Sequence, residues 1–132
     1  MARWKIKNVG MKGVAMAVPE NVVKTSDFDF FSQEEAEVFD NTVGIRRRHI
    51  APDNMCASDM CQAAAEKLLE ELGWERDSID VLLFESVTGD YRTPPTSCIL
   101  QDRLALSENC FCMDIPMGCC GCMYACLLYT SP

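Results

Sequence analysis

The stretch Asp114-Ile-Pro-Met-Gly-Cys-Cys-Gly-Cys-Met-Tyr124 carries the clearest structural signal in this chain. A short apolar strand, predicted over Cys110 to Ile115, runs into a turn flanked by two glycines, and a helix is predicted to begin near Cys119. The unpaired amides at a helix N-terminus favour a thiolate, and a sharp strand-to-helix turn presents it to solvent. The stretch therefore fits a nucleophilic cysteine at this junction, with its own amide as one oxyanion donor. The spacing alone fits equally well cysteines that only pack the helix against the sheet.

Strands and helices alternate along the rest of the chain. Short apolar runs predict the strands, and N-caps, apolar faces and terminal glycines predict the helices. The predicted elements are a strand over about 11–18, a helix over 32–41 opened by a capping box of Ser32 and Glu35, an extended basic segment over 45–50, a helix over 58–72, a strand over 81–84 and a helix over 97–106. Such alternation predicts an α/β layered fold with a mainly parallel sheet, in which active sites collect where strands end and helices begin.

The helix over 58–72 is the most strongly marked element. Ser58 is its predicted N-cap and Gly73 its predicted stop. Its apolar face is made of residues at three-to-four spacing, namely Ala64, Ala65, Leu68, Leu69 and Leu72. This face is expected to pack against the sheet or a neighbouring helix.

Composition excludes several classes of protein. The 132 residues suffice for one domain or part of one, and 48% apolar with 24% charged residues is typical of a globular chain. The net charge of −8 argues against nucleic acid and anionic membranes as partners. No apolar run reaches the roughly 18 residues of a membrane span. The basic N-terminus lacks the apolar stretch of a secretory signal, so a cytoplasmic location is expected.

Nine cysteines are the unusual feature of the composition. Their odd number and the absence of a secretory signal argue against a disulfide framework, and most are expected to be small buried apolar groups. Cys119 and Cys122 form a Cys-x-x-Cys pair, but no second well-spaced pair follows and His49 is the only histidine. No metal or other cofactor is therefore predicted. A small metal-binding or redox protein that uses these two cysteines stays open as an alternative.

Several motifs together resemble one enzyme family. Gly44-Ile-Arg-Arg-Arg-His-Ile50 is similar to the Thr-Gly-Ile-Arg-x-Arg segment of the β-ketoacyl-acyl-carrier-protein synthase III family. Further matches follow in register at Val18-Pro-Glu-Asn-Val-Val23, Ser58-Asp59, Ile79-Asp80 and Asp90-Tyr91. The active-site stretch of that family is similar to Asp114 through Tyr124, which places its nucleophile at Cys119.

The resemblance implies a fold and an activity. The family has a thiolase-like layered α/β/α fold of two similar halves, usually as a homodimer, and residues 1–132 resemble a partial N-terminal domain. Its cysteine takes an acyl group from coenzyme A or acyl carrier protein, and a decarboxylating Claisen condensation with malonyl-acyl-carrier-protein follows. The assisting His and Asn come from the second half, so the fragment is expected to be inactive in condensation. Residues 129–132 do not continue the family pattern and are a candidate foreign tail.

Departures from the family pattern concern the acyl donor and the acyl pocket. Val38 and Thr42 stand where a Trp and an Arg hold the adenine of coenzyme A, so an acyl-carrier-protein donor gains weight. Thr93 matches the loop position that projects into the partner subunit's acyl pocket, and its small size would admit a longer or branched acyl group. Cys120 and Cys122 are interpreted as packing substitutions. A non-catalytic interaction subunit of the same fold is the second alternative.

Two further interpretations concern charged residues. The basic cluster Arg46-Arg47-Arg48 is interpreted as a solvated strand face with local ion pairs. Asp114 is interpreted as a structural residue that accepts backbone N–H bonds near the elbow.

Overall fold

The computed structural model describes residues 7–130, with side chains described up to Leu128. The chain forms two compact units, one of residues 18–56 and one of the residues before and after them. In chain order the elements are β1 (Val22–Lys24), a 3-10 turn (Thr25–Asp27), α1 (Gln33–Val43), β2 (Arg47–His49), α2 (Ala57–Leu72), a 3-10 turn (Arg76–Ser78), β3 (Val81–Glu85), α3 (Thr96–Arg103), β4 (Phe111–Ile115) and α4 (Gly121–Thr130).

The unit of residues 18–56 combines a strand pair with one helix. Strands β1 and β2 are antiparallel, with Val23 opposite Arg48. The predicted capping box opens α1: the Glu35 amide donates to the Ser32 hydroxyl at 3.2 Å, and the Ser32 amide donates to the Glu35 carboxylate at 2.9 Å. The helix ends at Gly44, whose φ of 79° suits a residue without a Cβ.

The interpretation of the basic cluster as a solvated, ion-paired face was wrong for one of its members. Arg48 is half-buried, and its guanidinium lies 5.8 Å from the Phe28 ring centroid and 5.2 Å from that of Phe39. It also donates to the Thr25 hydroxyl at 3.3 Å. No ion pair involves this cluster within residues 7–130. A planar guanidinium stacks well on aromatic rings, which explains the choice of partner.

The other unit is organised around a parallel strand pair. Strands β3 and β4 run parallel in a register that sets Val81 opposite Phe111 and Glu85 opposite Ile115. Helices α3 and α4 pack against these strands, and α2 packs against α3. The core contains Phe84, Cys110, Leu100, Leu104 and Ile115, each less than a tenth exposed. Burying a side chain such as Leu100 adds about 1.5–3 kcal/mol to the free energy of unfolding.

Helix α2 confirms the predicted apolar face but not the predicted cap. The five residues of that face are half-buried, and Gly73 follows the helix with a φ of 62°. Helix α2 begins at Ala57, so Ser58 lies inside its first turn. The Ser58 hydroxyl is fully buried and donates to the Asp90 carboxylate, while Arg103 donates to the Ser58 hydroxyl at 3.0 Å. The Ser58 hydroxyl therefore makes a tertiary hydrogen bond to Asp90 instead of capping the N-terminus of α2.

Two predictions about elements need correction. Residues 11–18 do not form a strand, because a strand needs a hydrogen-bonded neighbour and the described residues provide none. Their alternation is nevertheless preserved, since Gly13 faces the side chains of Leu68 and Leu72 while Met16 is exposed. Helix α3 ends at Arg103, three residues before the predicted end. The parallel pairing of β3 and β4 agrees with the predicted fold class, and the short pair of β1 and β2 is antiparallel.

Candidate active site

The cysteine predicted as the nucleophile lies in a tight turn between β4 and α4. The Gly121 amide donates to the Gly118 carbonyl at 2.8 Å, and the Met123 amide donates to the Cys120 carbonyl at 3.0 Å. Cys119 is therefore at the corner of the first of two consecutive turns, and its side chain is exposed. The helix begins at Gly121, two residues later than predicted, so Cys119 precedes α4 instead of lying in its first turn.

Gly121 fits closely against a carboxylate that sequence reasoning missed. A Cβ at Gly121 would overlap the carboxyl group of Glu85, the last residue of β3. The glycine is buried, so the missing Cβ is what allows α4 to approach the strand. A charged residue at the end of the apolar run Val81-Leu-Leu-Phe-Glu85 is the signal that could have indicated it, because sites in α/β folds lie at strand ends.

We expect Gly121→Ala to lower the free energy of unfolding by about 1–3 kcal/mol, because the new methyl group would displace the Glu85 carboxyl group or the helix. Gly118→Ala is the matched control, since no atom lies within 4 Å of a Cβ at that position. Denaturant unfolding of both variants measures the difference. In a Glu85→Ala background the cost of Gly121→Ala should shrink, and an unchanged cost would contradict the steric explanation.

Asp114 anchors the strand that leads to the turn. Its carboxylate accepts N–H bonds from Thr96 at 2.7 Å and Ser97 at 2.8 Å, the first two residues of α3. Burial raises the pKa of this carboxyl, but hydrogen bonds from Ser97 and Thr96 outweigh it and lower the pKa overall. The predicted acceptor role of Asp114 is confirmed, and its partners belong to the N-terminus of α3.

The cysteines differ from expectation in their exposure. Six of the nine are exposed and only Cys110 is buried, so most are not packing groups. Cys120 and Cys122 are both exposed, which makes their interpretation as packing substitutions wrong. The neighbouring thiol of Cys126, which also forms a hydrogen bond, raises the pKa of Cys122, and burial and the Glu85 charge add to this. Burial, with Cys110 next in importance, raises the pKa of Cys112 to about 11.

Thr93 lies in the loop between β3 and α3 and is exposed. The loop is held three residues earlier at Asp90, whose amide donates to the Thr96 hydroxyl at 3.1 Å and whose carboxylate accepts from Ser58. Thr93 and Cys119 both follow carboxyl ends of parallel strands, but no hydrogen bond joins their side chains in the described part of the chain. The structure thus positions both residues on separate, anchored loops.

Val38 and Thr42 lie on an exposed surface of α1 in the unit of residues 18–56. They line an open groove of about 820 Å³ together with Phe31, Ser32, Glu34, Glu35, Phe39 and Val43. The Thr42 hydroxyl donates to the Val38 carbonyl at 2.7 Å. Among these lining residues two carry carboxylates and none is basic. A phosphate group would therefore meet like charge and no cation here.

Two searches of the described residues had negative results. Within residues 7–130, no three His, Cys, Asp or Glu side chains are grouped so as to hold a metal ion. The metal-binding alternative thus has no support from this part of the chain. No described helix combines the length and apolar character needed to cross a membrane.

Comparison with known proteins agrees with the motifs. The chain is 36% identical over 115 residues to the β-ketoacyl-[acyl-carrier-protein] synthase III of Geobacillus kaustophilus, covering 87% of this chain and 37% of the relative. It is 34% identical over 126 residues to the enzyme of the same name from Clostridium perfringens, covering 96% of this chain and 38% of the relative. No family model matches the chain.

A solved structure gives the same result for the fold. The crystal structure of 3-oxoacyl-(acyl-carrier protein) synthase from Burkholderia xenovorans LB400 superimposes with a TM-score of 0.81 and 37% identity, covering 90% of this chain and 36% of that one. The fold is thus a mixed α/β part of the thiolase-like fold. The resemblance to the β-ketoacyl-acyl-carrier-protein synthase III family is confirmed. The chain spans a little over a third of the length of these relatives.

Proposed function

We propose that this chain carries the acyl-accepting part of a condensing enzyme of fatty acid biosynthesis, with Cys119 as the nucleophile. The observation that carries the proposal is an exposed thiol in the glycine-flanked turn after a parallel strand, in a chain similar to synthase III enzymes over most of its length. A cysteine thiolate is a strong nucleophile toward thioesters, and this turn leaves it open to a bulky donor.

The proposed first step is acyl transfer to Cys119. The sulfur attacks the thioester carbonyl of the donor, a new carbon–sulfur bond forms, and the donor thiolate departs. The negative charge on the carbonyl oxygen needs N–H donors, and the Cys119 amide at the turn is one candidate. Asp114, just before the turn, accepts hydrogen bonds from α3, and Gly121, at its end, packs against Glu85. The role of both contacts is to position the nucleophile.

The condensation step needs groups that we do not assign within this chain. In the proposed reaction malonyl-acyl-carrier-protein loses carbon dioxide, and the resulting carbanion attacks the acyl-cysteine. His49 is an unsuitable helper, because it lies on β2 with its Nδ1 atom against the Pro19 carbonyl. We therefore expect this chain alone to accept an acyl group without catalysing condensation.

We favour acyl carrier protein over coenzyme A as the acyl donor. The α1 groove at Val38 and Thr42 contains the aromatic rings of Phe31 and Phe39, but it has no cation that would hold the phosphates of an adenine nucleotide, and it carries the carboxylates of Glu34 and Glu35. Malonyl-acyl-carrier-protein is the second proposed substrate. A homodimer of the complete enzyme in the cytoplasm belongs to the same proposal and follows from the family resemblance.

The proposal is tested by offering the reduced chain an acyl-acyl-carrier-protein and, separately, the matching acyl-coenzyme A. Intact-mass measurement should show one added acyl group, formed faster from the carrier protein. Adding malonyl-acyl-carrier-protein should then release no carbon dioxide above background. A chain that takes up no acyl group from either donor would instead support a non-catalytic interaction subunit.

Thr93 is proposed to set the room available to the acyl chain. We expect Thr93→Phe, introduced into a full-length synthase, to lower kcat/KM for long or branched donors by about 10- to 100-fold, because the larger ring would occupy the pocket. Short donors should be affected little. Thr93→Ser is the matched control, since it keeps a small side chain. An identical chain-length profile for all three proteins would refute this role.

A further inference from the structure

Two cysteines with exposed side chains flank the start of α4. Cys119 occupies the turn before the helix, and Cys122 lies in the first helical turn. The backbone between them follows two consecutive turns, closed by the hydrogen bonds from Gly121 to Gly118 and from Met123 to Cys120. The backbone of residues 119 and 122 is therefore one turn apart at this point of the chain.

The spacing suits a disulfide between these two residues better than one between Cys122 and Cys126. Residues three or four apart on a helical turn have Cβ atoms about 5–6 Å apart. A disulfide needs about 3.5–4.5 Å between its Cβ atoms. Because Cys119 lies outside α4, it can close this gap without breaking helical hydrogen bonds. Cys122 and Cys126 are both helical, so joining them would unwind a turn.

The surroundings of Cys122 disfavour its thiolate form. Cys126, through its charge and its hydrogen bond, raises the pKa of Cys122, with smaller contributions from burial and Glu85. The Cys122 thiol is therefore less readily ionised than an unperturbed cysteine. The Glu85 carboxyl group lies against Gly121, the residue before Cys122.

We propose that Cys119 and Cys122 form a reversible disulfide when a hydroperoxide oxidises Cys119, which protects the acyl-accepting thiol from irreversible oxidation. The inference rests on the proposed function only in that the protected thiol is the acyl acceptor. Its chemistry requires no more than an accessible Cys119 and a neighbouring Cys122.

The chemistry proceeds in two balanced steps. The Cys119 sulfur attacks the hydroperoxide, a sulfur–oxygen bond forms, the oxygen–oxygen bond breaks and an alcohol or water leaves, which gives a sulfenic acid. The Cys122 sulfur then attacks the Cys119 sulfur, the sulfur–sulfur bond forms and the sulfur–oxygen bond breaks. Hydroxide leaves and takes up the Cys122 proton as water. A dithiol reductant returns both cysteines to thiols by exchange.

The test treats the full reduced chain with one equivalent of hydrogen peroxide, alkylates the remaining thiols and maps the peptides. We expect the intact mass to fall by about 2 Da, with Cys119 and Cys122 linked, and dithiothreitol to restore both thiols. Under excess peroxide, Cys122→Ser should convert Cys119 to sulfinic acid, which dithiothreitol does not reverse.

Cys120→Ser and Cys126→Ser are the matched controls, because both keep the proposed pair and should still form the bridge. A bridge between any other two cysteines would overturn the proposal. So would equal recovery of Cys119 in Cys122→Ser and in the parent chain. Acyl uptake by the reduced chain is measured separately. A bridge without acyl uptake would refute the proposed function alone, and acyl uptake without this bridge would refute the switch alone.

Discussion

Replacing Cys119 with alanine is expected to lower acyl transfer to the chain by at least about a thousandfold, because the proposed reaction attaches the acyl group to the sulfur of this residue. In the proposed reaction the exposed thiol provides the attacking sulfur, and alanine has no atom that can form the thioester. Its surroundings should be unaffected, since the side chain is exposed and makes no described hydrogen bond. Rapid quenching followed by intact-mass measurement gives the rate of acyl uptake.

The other exposed cysteines provide the control for this experiment. Cys120 is adjacent in sequence and equally exposed, so Cys120→Ala tests whether any thiol in the turn suffices. We expect Cys120→Ala to retain the acylation rate of the parent within a few-fold. An acyl group mapped to Cys120 or Cys122 in the parent chain would show that Cys119 has been wrongly assigned.

Asp114→Ala is expected to lower the free energy of unfolding by about 3 kcal/mol. The carboxylate accepts two N–H bonds at the N-terminus of α3, and Thr96 and Ser97 are both fully buried. Removing it leaves two buried amides without a partner and also removes a favourable charge at the positive end of the helix. Denaturant unfolding followed by circular dichroism measures the loss.

The same carboxylate predicts a pH dependence with a defined sign. Hydrogen bonding lowers the pKa of Asp114 in the folded chain despite its burial. The pKa of an aspartate in the unfolded chain is about 3.9. Its contribution to stability is therefore complete above that unfolded value and is lost as the pH falls through the lower folded value. The unfolding free energy of the parent should decline more steeply below about pH 4 than that of Asp114→Asn.

Asp114→Asn also separates charge from hydrogen bonding. The amide retains one acceptor oxygen. The free energy of unfolding of Asp114→Asn should therefore lie between that of the parent and that of Asp114→Ala. Equal costs for both variants would mean that the negative charge matters more than the number of acceptor atoms. Two variants as stable as the parent would show that α3 does not depend on Asp114 for its N-terminus.

The amino-acid sequence by itself determined those helix ends whose hydrogen bonds and backbone angles involve only neighbouring residues. Ser32 and Glu35 satisfy each other's amides within four residues, and Gly44 and Gly73 supply the positive φ at which α1 and α2 end. The strand, glycine-flanked turn and helix around Cys119 were likewise readable, as was the family resemblance, which comparison with relatives confirms. These features need few partners distant in sequence.

Tertiary structure alone decided the roles of groups whose partners lie far along the chain. Ser58 donates to the carboxylate of Asp90, 32 residues away, instead of capping α2, because a charged acceptor is a stronger hydrogen-bond partner than a backbone amide. Glu85 meets Gly121 only because β3 and β4 run parallel and return the chain to the same edge. Segment 11–18 has the alternation of a strand, yet pairing depends on a neighbour that no local pattern supplies. The exposure of Cys119 and Cys122 follows from the same packing, which leaves the start of α4 open to solvent.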